Sequence, residues 1–224
     1  MSYSTMDTCV FPYDKIAKIQ VDMKSSNCNG LWAAPLWISQ ANWQEPQSQT
    51  GEIDIFERGC STQDGYLTSF GGGGNYVKRD AWREMNHPEA ATDVRAYVEF
   101  QRTPDQVVVY KCPTTADPIR NPHDVALCEK TAVSHNYFQR TSAQMHTANN
   151  QMYFVSDIWN QGACMHSPEP HSACKFDISN LQVAFTTGKN EFLDKTTSNL
   201  CAHLVASAPP PVAPQPAPPP VAPR

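Results

Sequence analysis

Apolar and polar residues alternate with a period of two along much of the chain, while the three-to-four spacing of an amphipathic helix is hard to find. In "KIQVDM", Ile19, Val21 and Met23 face one way and Lys18, Gln20 and Asp22 the other. In "VRAYVEF", Val94, Ala96, Val98 and Phe100 alternate with Arg95, Tyr97 and Glu99. The segments "QVVVY" (106–110), "QMYFVSDIW" (151–159) and "KFDISNLQVAF" (175–185) read as further strands. Turn-rich pieces such as "GGGGN" and "PTTADPIRNPHD" lie between them. Many short strands without intervening helices predict an all-β sandwich or barrel and argue against parallel βαβ units. No internal repeat is visible.

Composition changes this picture at one end. Residues 206–224, "ASAPPPVAPQPAPPPVAPR", are almost all Pro, Ala and Val, and such a segment favours extended polyproline II over ladder or helix. Residues 1–205 are therefore expected to form one domain, with 206–224 a proline-rich tail or spacer. The net charge of −5 and the scatter of basic residues argue against a nucleic-acid groove or an anionic membrane surface. No apolar run approaches the roughly eighteen residues of a membrane-spanning helix.

The eight cysteines, Cys9, Cys28, Cys60, Cys112, Cys128, Cys164, Cys174 and Cys201, suit disulfides and an oxidising compartment. Cys112–Cys128 and Cys164–Cys174 close the shortest loops and are the expected local bridges. The opening "MSYSTMDTCV" has no apolar signal core, so a secreted or wall-associated protein is expected whose leader lies outside this sequence. "CMHSPEPHSAC" offers Cys164, His166, His171 and Cys174 as zinc ligands. Its two prolines and irregular spacing suit a disulfide-closed loop better, and no metal is expected. The quartet Gly71–Gly74 lacks the Lys-Ser/Thr of a phosphate loop and reads as a turn. No Gly-x-Ser-x-Gly elbow accompanies the dispersed histidines.

The stretch "GEIDIFERG" (51–59) sets Glu52, Asp54 and Glu57 within an apolar run. Glu52 and Asp54 share a strand face, but Glu57 lies five positions from Glu52, so a regular pleat turns it away. A β-bulge within "IDIFE" would absorb one residue and return Glu57 to the face of Glu52. Two carboxyl groups flanking one bond are what glycoside hydrolysis requires, and a separation of about 5–5.5 Å supports a retaining reaction. The alternative is an exposed edge strand with solvated acids, against which Ile53, Ile55 and Phe56 imply a buried opposite face. Just upstream, "GLWAAPLWISQANWQ" holds Trp32, Trp37 and Trp43 within twelve residues. Flat indole faces stack on the C–H faces of sugars, although some of these rings could equally be core.

"GLWAAPLWI" followed some fifteen residues later by "GEIDIFE" resembles glycoside hydrolase family 16, in its laminarinase-like group with the bulged Glu-x-Asp-x-x-Glu signature. Weaker similarity extends over residues 11–186, through "FPYDKIAKIQVDMKSSNCNGLW", "MYFVSDIWNQG" and "FDISNLQVAF". The resemblance implies a β-jelly-roll sandwich of two antiparallel sheets with a concave glycan cleft. It implies Glu52 as nucleophile, Glu57 as general acid/base and Asp54 as their supporting carboxylate. Trp32, Trp37, Trp43, Trp159 and Asn160 are the expected sugar contacts. The function so implied is retaining endo-hydrolysis of β-1,3 or mixed β-1,3/1,4 glucan by a monomer, without a cofactor. A non-catalytic glucan-binding module and a transglycosylase are the competing readings. The binding module typically loses one of the acids, and all three are present here. Three departures stand out. Only ten residues precede Phe11, so early strands are expected to be absent or that edge built differently. One extra residue separates Trp32 from Trp37. Thr68, Ser69 and Phe70 occupy the following strand, where laminarinase-like members often carry a histidine.

Overall fold

The computed structural model describes residues 2–4, 11–12, 15–25, 32–40, 51–58, 66–70, 77–82, 94–139, 151–159, 176–186 and 190–192. Its strands are β1 (Ser2–Ser4), β2 (Phe11–Pro12), β3 (Ile16–Ser25), β4 (Trp32–Gln40), β5 (Ile53–Arg58), β6 (Tyr66–Phe70) and β7 (Val77–Trp82). They continue as β8 (Val94–Arg102), β9 (Asp105–Cys112), β10 (Glu129–His135), β11 (Gln151–Trp159), β12 (Phe176–Phe185) and β13 (Asn190–Phe192). The alternating segments of the sequence become β3, β8, β9, β11 and β12.

Two antiparallel sheets form a jelly-roll sandwich. The first has the order β1-β11-β4-β5-β6-β7, with β2 also on β11, and the second runs β10-β9-β8-β3-β12-β13. The short β1 shows how the early edge is built, because Ser2 to Ser4 pair with Asp157 to Val155 on β11. The alternation explains which faces meet. Ile19, Val21 and Met23 of β3, Ala96 and Val98 of β8, and Val107 and Val109 of β9 are buried against Leu36, Ile38, Ile53, Phe70, Met152 and Phe154 of the first sheet. Each of the larger of these side chains contributes roughly 1.5–3 kcal/mol of burial, enough to fix register wherever one face is dry.

The outer face of the second sheet departs from its sequence reading. Gln20, Asp22, Arg95 and Tyr97 alternate as solvent-facing residues, yet all are buried. The Cys112–Cys128 disulfide closes a loop across a separation of 16 residues. Ala116 and Ile119 of that loop pack on Tyr97 and Ala184, forming a second, smaller core. Beneath it, Arg95 forks onto Asp22 through Nε–Oδ1 at 2.5 Å and Nη2–Oδ2 at 2.7 Å. Arg95 Nη1 donates to the Ala116 carbonyl, and Asn180 Nδ2 donates to Asp22 Oδ2 at 2.6 Å. The Asp22 carboxylate raises the Arg95 pKa further above its ordinary value. Inside the loop a 3-10 helix spans Pro122–Leu127. Asn121 caps it, and a proline stands at its start, where no N–H is needed.

No helix among the described residues is long and apolar enough to cross a membrane. The second expected bridge, Cys164–Cys174, and the proline-rich tail lie outside the described residues.

Candidate active site

The acidic stretch forms β5 and the two residues before it, in the middle of the first sheet. Asp54 pairs with Ser69 and Glu57 with Leu67, so three steps on β5 match two on β6. On the other side Trp37 pairs with Asp54 and Leu36 with Phe56, two steps on β5 against one on β4. Both neighbours therefore locate one extra residue at Ile55–Phe56. Ile53, Ile55 and Phe56 all belong to the core. Two successive residues thus face inward, and alternation restarts one position late. Glu57 returns to the face of Glu52 and Asp54, as a bulge requires. The three acids are 2%, 2% and 8% exposed, so they are buried although they stand on the outer face of the sheet.

Two further groups hold the bulged strand. Thr68 points inward from β6, fully buried, and its Oγ1 donates to the Ile55 carbonyl at 3.1 Å. A bulge disrupts the ladder locally, and this hydroxyl gives the displaced carbonyl a donor. Tyr137, just after β10, donates its hydroxyl to the Gly51 carbonyl at 2.5 Å. Neither contact was legible in the sequence. Thr68 stood out there only as a departure from the family pattern, and Tyr137 lies 86 residues from its partner.

The tryptophan strand carries a bulge of its own. Ala33 pairs with Arg58 and Leu36 with Phe56, three steps on β4 against two on β5. Trp37 pairs with Val155 and Ala34 with Asp157, again three against two. One extra residue of β4 is absorbed at Ala34–Leu36, around Pro35. Proline has no N–H for a ladder and is normally confined to edges or bulges, so the bulge lets it stand in a central strand.

These registers place the expected sugar contacts. Trp37 is the ladder partner of Asp54, and Trp32 is the partner of Trp159 on β11. The backbone thus brings Trp37 to the acids and joins Trp32 with Trp159 further along. The side chains of Trp32, Trp37 and Trp159, and the whole of Trp43 and Asn160, lie outside the described residues. So does the Cys164–Cys174 segment weighed for zinc. Among the described residues, no three His, Cys, Asp or Glu side chains cluster as metal ligands.

No family model matches the chain, and no curated protein is similar to it in sequence. Its fold is similar to that of several solved structures. The laminarinase from Flavobacterium sp. UMI-01 aligns with a TM-score of 0.56 at 13% identity, covering 82% of this chain and 71% of that one. The endo-β-1,3-glucanase from Pyrococcus furiosus aligns with a TM-score of 0.53 at 15% identity, covering 83% and 66%. The laminarinase catalytic domain from Thermotoga maritima MSB8 gives 0.52 at 15% identity, covering 82% and 68%. The chain spans about two thirds of the length of these proteins. At such identities the likeness is one of fold.

Proposed function

We propose that the chain is a retaining endo-glycoside hydrolase of β-glucan, cleaving β-1,3 or mixed β-1,3/1,4 linkages. The observation that carries this reading is the β5 bulge, which returns Glu57 to one buried face with Glu52 and Asp54. An edge strand bearing solvated acids would leave these side chains exposed. In the proposed reaction Glu52 attacks the anomeric carbon while the carboxylic acid of Glu57 protonates the leaving oxygen. Glu57 then takes a proton from water, which releases the sugar from Glu52. Asp54, between them on the same face, orients the pair by hydrogen bonding.

Trp32, Trp37, Trp43, Trp159 and Asn160 are proposed to line the sugar path, supported by the pairing of Trp37 with Asp54 and of Trp32 with Trp159. The Cys112–Cys128 bridge supports a secreted location, since disulfides persist in oxidising compartments. The protein is proposed to act as a monomer without cofactor, with residues 206–224 as a stiff spacer.

A panel of laminarin, mixed-linkage β-glucan and algal galactans, assayed for reducing ends, tests the reading. Release from the glucans is expected. Binding to laminarin without release would assign a non-catalytic module instead. Elongated oligosaccharides in place of new reducing ends would assign a transglycosylase.

A further inference from the structure

Tyr137 belongs to the second sheet's side of the sandwich, yet its hydroxyl meets the segment leading into β5 at Gly51, the residue before Glu52. The Gly51 carbonyl and the Glu52 N–H belong to one planar peptide unit, whose plane ends at the Glu52 Cα. A hydrogen bond to that carbonyl therefore fixes the base from which the Glu52 side chain projects. Gly51 is buried, and without a Cβ it allows the phenol to approach its backbone closely.

The phenol is itself firmly held. Tyr137 is fully buried and meets the Phe138 ring edge-on, at 5.4 Å between centroids and 87° between planes. Phe138 packs beside Phe100 of β8 at 6.4 Å, and the Arg102 guanidinium lies 3.3 Å from its ring centroid. The turn that carries these rings is tied to the end of the β8–β9 hairpin. Phe138 N donates to Asp105 Oδ1 and Gln139 N to Asp105 Oδ2, each at 2.8 Å. Asn136 N donates to the Asp105 carbonyl at 2.8 Å, and Asn136 adopts a left-handed φ of 53°. Asparagine tolerates that region better than most residues.

From this chain of contacts we infer that Tyr137, braced by Asp105, is a positioning residue that sets the reach of Glu52 toward the sugar. The inference rests on the role proposed for Glu52. A group far from the reacting atoms gains leverage this way, because a displacement of about 1 Å in a catalytic group can lower turnover by roughly 10²-fold. The Asp22–Arg95–Asn180 network, by contrast, lies on the outer face of the opposite sheet.

Tyr137→Phe keeps the ring packing and removes only the hydroxyl. Its kcat on laminarin is expected to fall about tenfold or more while KM stays within about twofold, since substrate contacts are untouched. Amide hydrogen exchange at Glu52 is expected to quicken. Incorporating 4-aminophenylalanine at position 137 restores a donor at the same place and should recover both. Wild-type kcat and wild-type exchange in Tyr137→Phe would overturn the inference. A fall in kcat that merely tracks loss of folded protein by circular dichroism would overturn it equally. If the wild-type chain hydrolyses no polysaccharide, the enzymatic reading fails on its own. The exchange comparison then decides the structural claim, faster exchange at Glu52 supporting it and unchanged exchange overturning it.

Discussion

The molecule buries carboxylates on the outer faces of both its sheets, one beside an arginine and three together on a single strand. On the second sheet Asp22 meets an Arg95 fork and an Asn180 amide, under a loop that a disulfide holds down. A buried ion taken out of water is tolerable when its charge and lone pairs are satisfied in place. On the first sheet Glu52, Asp54 and Glu57 crowd one strand face, with like groups set about 7 Å apart along the backbone by the pleat. Three acids on one buried face of one strand are a different arrangement from a single acid set against an arginine. The contrast sets a carboxylate paired with an arginine against three acids gathered on one strand face, for which catalysis is the proposed role, and it gives distinct expectations for the two faces.

The largest effect belongs to the first sheet. Glu52→Gln keeps shape and burial, so the fold and oligosaccharide binding should survive. Hydrolysis should drop by roughly 10³-fold or more, the scale seen when an enzyme loses its nucleophile. Near-normal turnover would remove Glu52 from the mechanism. On the second sheet the readout is stability rather than rate. Arg95→Ala leaves Asp22 buried without its ion partner and should cost about 3–5 kcal/mol in denaturant unfolding. Replacing both residues with Leu should recover most of that, whereas a double variant as unstable as the single one would mean that the pair does more than neutralise itself. Cys112→Ser with Cys128→Ser frees the covering loop and should cost about 3 kcal/mol by the loop-closure relation, with activity on folded protein unchanged.

The smallest effect is one of pH. Burial, reinforced by the hydrogen bond it donates to Glu99 at 2.7 Å, pushes the Tyr97 hydroxyl well above its ordinary value. Burial raises Tyr110 too. In both cases the folded state holds its proton more tightly than the unfolded chain does. This contribution is present in full below the unfolded value near pH 10 and is lost as pH rises toward the folded one, by up to about 1.4 kcal/mol per pH unit for the buried Tyr97. Alkaline titration of stability should therefore slope downward above about pH 10 in wild type, and less steeply in Tyr97→Phe. Equal slopes would show that the loop does not keep Tyr97 dry.

What the sequence disclosed follows from how local each feature is. Alternation in β3, β8 and β12 is legible because one face of each strand must be dry. The same alternation misreads Gln20, Asp22, Arg95 and Tyr97, because a strand pattern distinguishes core from non-core and cannot show a distant loop folding back over the other face. The β5 bulge was legible from parity alone. If the acids at positions 52, 54 and 57 share a face, parity requires one extra residue, and both flanking strands locate it at Ile55–Phe56. Pro35 carried a similar signal for the β4 bulge that the sequence reading missed, since proline in a central strand is normally confined to a bulge. Asn121 followed by Pro122 signals the 3-10 helix in what read simply as a turn-rich segment. Tyr137 gave no signal, because its meaning lies in a contact 86 residues away.

In the proposed mechanism the bulge sets Glu52 and Glu57 as a pair for double displacement across one glycosidic bond. Proton NMR of the sugar first released from laminarin reads this directly, before the anomers equilibrate. A retaining pair yields the β-anomer first, with the α-anomer appearing only by mutarotation. The α-anomer arriving first, or no sugar released at all, would contradict the account.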